Sequence, residues 1–289
     1  MRKRQLQLAI VLVPLLALAA CGGNSLAGWG PGSTEGNAST QHITAQGGLI
    51  IFASPNLQQV LPVLANAFFK AHRLNIPYTF NFSNAVVNAN TANTLAQTDL
   101  LISDSQQVMT DARNIGFTRS FGVPLATDTL TVVLPPSNPG KIQSLQDLAR
   151  PGLYYLGIIP VSGLSRHIQA TLERMILDPT FGPDYSARVY GNLINNYTDG
   201  ASAARAIAAS PPAGDFAIVY HTDYLATQQQ RGTRALLALP IPSQFNPPAE
   251  TLAAVTSKAN NPGLSQQFID FLHSPQAQTI WKQYGFQPA

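Results

Sequence analysis

The chain has 289 residues, 45% of them hydrophobic and only 11% charged, with 17 basic residues against 14 acidic ones and a single cysteine. One cysteine excludes a disulfide framework and a cysteine-based metal site, and a formal charge of +3 gives no argument for a nucleic-acid surface. The length holds one large domain or two lobes with separate cores.

Arg2, Lys3 and Arg4 precede an apolar run from Leu6 to Ala20 that is too short to span a bilayer comfortably, and small residues stand just before Cys21. Leu18-Ala19-Ala20-Cys21 resembles the lipobox of bacterial lipoproteins. That resemblance implies cleavage before Cys21, acyl chains on that residue and firm attachment to a membrane outside the cytoplasm. Cleavage would remove three of the 17 basic residues and none of the 14 acidic ones, leaving 14 of each. The pI of about 9.1 therefore belongs to the precursor. From Gly22 to Gln46 the sequence is rich in Gly, Ser, Asn and Thr and reads as a flexible tether, with a reach on the order of 25 to 30 Å.

From Gly47 onward, continuous apolar runs bounded by turn residues recur at Gly48–Ala53, Asp99–Ile102, Leu130–Leu134, Tyr154–Ile159 and Phe216–Tyr220. Such runs predict buried parallel strands. Leu164, Ile168, Leu172 and Ile176 recur every four residues, while Arg166, His167, Glu173 and Arg174 fall elsewhere around the axis, which predicts an amphipathic crossover helix. Alternation of strands and helices argues for an α/β architecture with ligands held beyond the carboxyl ends of the strands.

Several of those strand ends carry small polar residues just before a helix: Ser54-Pro55-Asn56, Phe82-Ser83-Asn84, Val161-Ser162-Gly163 and Asp199-Gly200-Ala201. A helix N-terminus offers unpaired N–H donors and roughly half a positive charge, so several converging on one point would bind a small oxyanion without lysine or arginine. Each residue is equally an ordinary N-cap. No His-Glu-x-x-His, phosphate loop, dinucleotide glycine fingerprint or Gly-x-Ser-x-Gly elbow occurs. Ser165 and His167 stand two apart on the predicted helix and point away from each other. A binding protein with no cofactor and no metal is expected, not an enzyme.

From Leu49 to Phe286 the chain resembles the molybdate-binding proteins of bacterial ABC transporters. The likeness rests on the opening strand and helix IIFASPNLQQVLPVLANAF, on Asp99-Leu100-Leu101-Ile102-Ser103, on Ala217-Ile218-Val219-Tyr220, and most specifically on the closing SPQAQTIWKQYGF, Ser274 to Phe286. It implies a two-lobed periplasmic-binding-protein fold, each lobe a mostly parallel sheet flanked by helices. One lobe would comprise residues 47–129 and 251–289, the other 130–250, with crossings near Thr127–Thr131 and Glu250–Val255 and hinge-like closure on the ligand.

The same resemblance assigns the oxyanion contacts. The Tyr220 hydroxyl leads, joined by Ser54 or Asn56 in the first loop, Ser83 and Asn84 in the second, and backbone amides at Ser162 or Gly163 and at Gly200. The chain departs from the family after the third strand, where Ile158-Ile159-Pro160 replaces an Asp-Pro and a longer loop. Uncharged donors suit a fully deprotonated dianion, since a protonated phosphate needs an acceptor for its hydrogen, so molybdate or tungstate is expected, with sulfate as the alternative solute. Asp199 and Asp223 are expected as helix N-caps and His221 outside the site. Implied partners are the oxyanion, an ABC permease and, through Cys21, a membrane. The protein is expected to act as a monomer without nucleic acid. A sensor or interaction lipoprotein on the same fold is the competing function.

Overall fold

A computed structural model describes residues 48–84, 96–230 and 235–289. Cys21 and the tether lie outside the described residues, as does the continuation of the Ser83-Asn84 loop. In chain order the first elements are β1 (Leu49–Ala53), α1 (Leu61–Ala71), β2 (Tyr78–Phe82), β3 (Leu100–Ser103), α2 (Gln106–Asn114) and β4 (Val123–Asp128). There follow β5 (Leu130–Leu134), β6 (Tyr155–Ile158), α3 (Gly163–Met175), α4 (Tyr185–Gly191), β7 (Leu193–Tyr197), α5 (Gly200–Ala208), β8 (Phe216–Tyr220), α6 (His221–Gln229) and β9 (Leu237–Pro240). The chain closes with β10 (Ala249–Val255), α7 (Pro262–Leu272), α8 (Pro275–Gln283) and β11 (Gln287–Pro288).

These strands form two sheets, one per lobe, ordered β11-β4-β10-β3-β1-β2 and β7-β6-β8-β5-β9. The first draws on both ends of the described chain, and the second lies wholly between them. Both sheets are mixed. In the first, β2, β1 and β3 run parallel, whereas β10 is antiparallel to β3 and β4, and β11 to β4. In the second, β7, β6 and β8 are parallel, but β5 is antiparallel to both β8 and β9. Leu130–Leu134, expected as a parallel strand, is thus antiparallel to its neighbours. A fully buried strand reads as an unbroken apolar run in either direction, so composition cannot reveal its sense.

Burial on both faces explains the apolar runs. Leu49, Ile51 and Ala53 of β1, with Leu100 and Ile102 of β3, enter one core with α1, α7 and α8. Phe52 and Leu101 point the other way, into a smaller cluster with Val108, Met109 and Ala112 of α2. The second lobe has one core, into which α3 buries Leu164, Ile168, Thr171, Leu172 and Met175. Ile176, expected as the last residue of that stripe, is the C-cap residue and only partly buried.

The chain leaves the first sheet for the second at Thr129, inside the expected first crossing, and returns between Pro240 and Ala249. Glu250–Val255, where the second crossing was expected, already belongs to β10 of the first sheet. The two passages are tied together by Asn246, whose Oδ1 accepts from Leu130 N at 3.0 Å and whose Nδ2 donates to Leu130 O at 2.8 Å.

Candidate functional site

The residue after β3 in one lobe meets the N-terminus of α3 and the end of β8 in the other, and the turn after β1 faces α5 and α6. Ser54 follows β1. It stands before a 3-10 turn, Pro55–Leu57, without capping it through its side chain. Its hydroxyl instead donates to Asp104 Oδ1 at 2.7 Å and accepts from Asp104 N at 3.1 Å. Asp104, the first residue after β3, is thereby fixed by the strand next to its own. Asn84, after β2, donates from its side-chain amide to the carbonyl of Thr198 in the other lobe.

Asp104 also reaches across the seam between the lobes. A Cβ built on Gly163, the first residue of α3, would lie 2.4 Å from Asp104 Oδ1, so only glycine permits this approach. The hydroxyl of Ser162 before it accepts from Ser165 N at 3.0 Å and donates to Ile159 O at 3.1 Å, and its N–H donates to Ile159 O at 3.2 Å. Ser162 therefore spends its polar groups on its own turn. Gly163, whose N–H has no carbonyl one helical turn behind it, is the residue of the pair that faces the seam.

Gly200, the first residue of α5, has a similar neighbour. A Cβ there would meet Asp223 Oδ2 at 2.1 Å and Leu164 Cδ2 at 2.9 Å. Asp199 caps α5 as expected, accepting from Ser202 N at 2.7 Å. Asp223 does not cap α6. The cap residue is Tyr220, and Asp223 sits inside the first turn, 4% exposed, with Oδ2 lacking any hydrogen bond. The helix begins at His221, directly after β8, three residues before the start that a capping Asp223 would require.

Tyr220 ends β8 with 1% of its surface exposed, and its hydroxyl, turned toward the Asp104 carboxyl, meets no partner at full hydrogen-bond geometry. Among the described residues, seven buried side-chain nitrogen or oxygen atoms lack a partner, and four of them are Tyr220 Oη, Asp223 Oδ2 and both amide atoms of Asn56. Buried polar groups are normally paired, so this concentration marks a place prepared for something else to bond. Asn56 and Asp223 both line a cavity of about 240 Å³ walled by Pro55, Asn56, residues 58–60 and Tyr284 from one lobe and by α5, with Arg205, and α6 from the other.

The electrostatics are acidic. Desolvation raises the pKa of Asp104 against the pull of the Ser54 and Tyr220 hydroxyls, and raises that of Asp223, with Asp128 and Asp199 adding to the effect. Asp128, at the end of β4, is pushed up to about 7 by burial, although Thr222 Oγ1 donates to its Oδ2 at 2.5 Å and Thr129 N to its Oδ1 at 2.8 Å. Burial and then the neighbouring Asp104 and Asp128 raise the Tyr220 hydroxyl far above its ordinary value, so it is a phenol and a donor. His167 of α3, its ring 6.1 Å from that of Tyr220, is held neutral by burial, its pKa lowered to about 4. His221 is lowered by partial burial too.

Of the residues singled out in the sequence, Tyr220, Asn56, Ser54, Gly163 and Gly200 lie along this seam, Asn84 bridges it, Ser162 is occupied in its own turn, and Ser83 is exposed, its N–H donating to Ala53 O at 3.0 Å. Sequence reasoning missed Asp104 and Asp128. Asp104 could have been found by the rule that found the others, since Ser103-Asp104-Ser105 is also a polar strand end just before a helix, with Ser105 capping α2.

Two mixed α/β lobes joined by two short passages, with unpaired polar groups gathered between them, define the class of two-lobed binding proteins. The model of the bacterial extracellular solute-binding protein family matches residues 49–287, and the chain belongs to that family, which is one of binding proteins, not of enzymes. It is 25% identical over 290 residues to the molybdate-binding protein ModA of Mycobacterium tuberculosis (strain ATCC 25618 / H37Rv), covering 99% of both chains. Among solved structures it is similar to the sulfate-binding protein SubI from Mycobacterium tuberculosis H37Rv, with a TM-score of 0.69, 20% identity, and 84% of this chain and 87% of that one covered. The periplasmic molybdate-binding protein of Azotobacter vinelandii gives a TM-score of 0.63 at 17% identity over 83% of this chain and 99% of that one. Among the described residues no helix is long and apolar enough to cross a membrane.

Proposed function

We propose that this protein is the extracytoplasmic solute-binding component of an ABC importer and captures a tetrahedral oxyanion, molybdate or tungstate first, between its two lobes. The observation that carries this reading is the buried Tyr220 hydroxyl short of full hydrogen bonding, at the end of β8 and close to Asp104, which itself faces the N-terminal glycine of α3. A phenol there, the Asn56 amide and the amides of Gly163 and Gly200 supply uncharged donors of the kind a desolvated dianion needs. Full-length similarity to a molybdate-binding protein supports the choice of anion, and the likeness to a sulfate-binding protein keeps sulfate in the comparison set.

In this reading the lobe built on β1–β4, β10 and β11 acts as one body and the lobe built on β5–β9 as the other, and the anion joins donors from both and so stabilises the closed form. A permease in the cytoplasmic membrane recognises that form. Cleavage before Cys21 and acylation there hold the monomer at the membrane, with Gly22–Gln46 as its tether. Calorimetric titration of the purified protein with molybdate, tungstate, sulfate and phosphate tests the ligand class. Submicromolar binding of molybdate or tungstate with weak sulfate is expected, and no heat with any of the four overturns the reading.

A further inference from the structure

The two glycines that the oxyanion reading needs are each faced by a carboxyl group of the protein itself, Asp104 at Gly163 and Asp223 at Gly200. Asp223 is attached to the lobe that carries Gly200, whereas Asp104 comes from the opposite lobe, tied down by Ser54 at 2.7 Å. A dianion seated on the first turn of α3 and on the Tyr220 hydroxyl therefore meets Asp104. Two anions in contact inside a desolvated seam repel strongly, so the pair can exist only if one of them carries a proton.

We propose, building on the oxyanion reading, that Asp104 meets the bound oxyanion as a neutral carboxylic acid, donating its O–H to an anion oxygen, so that capture takes up one proton. The O–H stays on Asp104 and no covalent bond changes. The surroundings favour the neutral acid. Facing it are the Ser54 hydroxyl from the β1 end, the Tyr220 phenol from β8, Asp128 from β4 and Asp223 from α6, and the cation acting on it is Arg166, exposed on α3. His167, beside Tyr220, is neutral and supplies no charge. An incoming anion strengthens this preference, so the complex holds the proton to higher pH than the free protein does, and affinity falls as pH rises through the window between the two.

The test is titration of the purified protein with molybdate from about pH 6 to about pH 9 in two buffers of different ionisation enthalpy, for the wild type, Asp104→Asn and Asp128→Asn. The wild type is expected to show buffer-dependent heats equivalent to proton uptake and an affinity that weakens by up to about tenfold per pH unit. Asp104→Asn, whose amide donates without titrating, is expected to lose that slope and to bind more tightly than the wild type at about pH 9. Asp128→Asn is expected to keep the slope.

Buffer-independent heats in the wild type overturn the inference, and since that measurement uses no variant it stands even if a substituted protein fails to fold. A slope that survives in Asp104→Asn, or is abolished by Asp128→Asn instead, overturns it as well. Tighter binding of phosphate than of molybdate, without proton uptake, reverses the role: the ligand then brings the proton and Asp104 accepts it. Absence of binding of any oxyanion at every pH removes the oxyanion reading itself, and this inference with it.

Discussion

Tyr220 combines complete burial with an unsatisfied hydroxyl, a state a folded protein tolerates when the missing bond is made by a ligand. Removing that hydroxyl takes from the ligand-free fold only its loose contact with Asp104. Tyr220→Phe is therefore expected to leave thermal stability unchanged or slightly raised while weakening oxyanion binding roughly 10- to 150-fold, because a hydrogen bond to a charged group contributes about 1.5 to 3 kcal/mol. Parallel melting curves and titrations check both halves. Tyr220 was legible because it ends a recognisable strand, Ala217-Ile218-Val219-Tyr220. Asp104 was not, for a physical reason: an anion site built from uncharged donors gives no cause to look for an acid, and the carboxyl acquires its significance only where β3 of one lobe comes against α3 of the other.

Helix starts carry the site at the scale of elements, and their caps were largely readable. Ser162 and Asp199 cap α3 and α5 with side-chain oxygens accepting from the N3 amide, and Ser274 does the same for α8. What the caps leave facing the seam are glycines, chosen by crowding. Gly200→Ala would press a methyl to within 2.1 Å of Asp223 Oδ2 and 2.9 Å of Leu164 Cδ2, and the first is a carboxyl held in a helix turn. An overpacking loss of about 1 to 3 kcal/mol is expected, read as a lower urea midpoint with an unchanged slope. A midpoint equal to the wild type's would mean that Asp223 moves aside freely. Strand direction, by contrast, was hidden: Leu130–Leu134 is apolar throughout because both its faces are covered, and only its antiparallel pairing with β8 and β9 distinguishes it from β1 or β6.

Over the whole molecule, the seam and the passages between lobes share one electrostatic feature. Asp128 closes β4 just before the chain changes sheets, bonded to Thr129 N and to Thr222 of α6, while His221 N donates to Thr129 O at 2.7 Å. Its pKa of about 7 lies above the roughly 3.9 of an unfolded aspartate, so the folded protein holds a proton that unfolding releases. Stability is then greatest below about pH 4, declines by up to ~1.4 kcal/mol per unit as pH rises toward about 7, and levels off above that. Asp104 and Asp223, raised in the same direction, add slope of the same sign. Urea unfolding at a series of pH values should show this decline, and Asp128→Asn should flatten it. A stability independent of pH across the window would mean that Asp128 is ionised in the fold.

The two-lobed architecture and the first crossing were readable from resemblance and from the apolar runs, but the second crossing was placed inside β10 because Glu250–Val255 looks like a linking strand until its pairing with β3 and β4 is seen. The proposed oxyanion lies between the lobes, against Tyr220, Asn56, Gly163 and Gly200. Crystals grown with molybdate and measured at the molybdenum absorption edge would locate it. An anomalous peak within hydrogen-bonding distance of the Tyr220 hydroxyl and the Gly163 amide is the expected result. A peak elsewhere on the protein, or none at saturating molybdate, would contradict it.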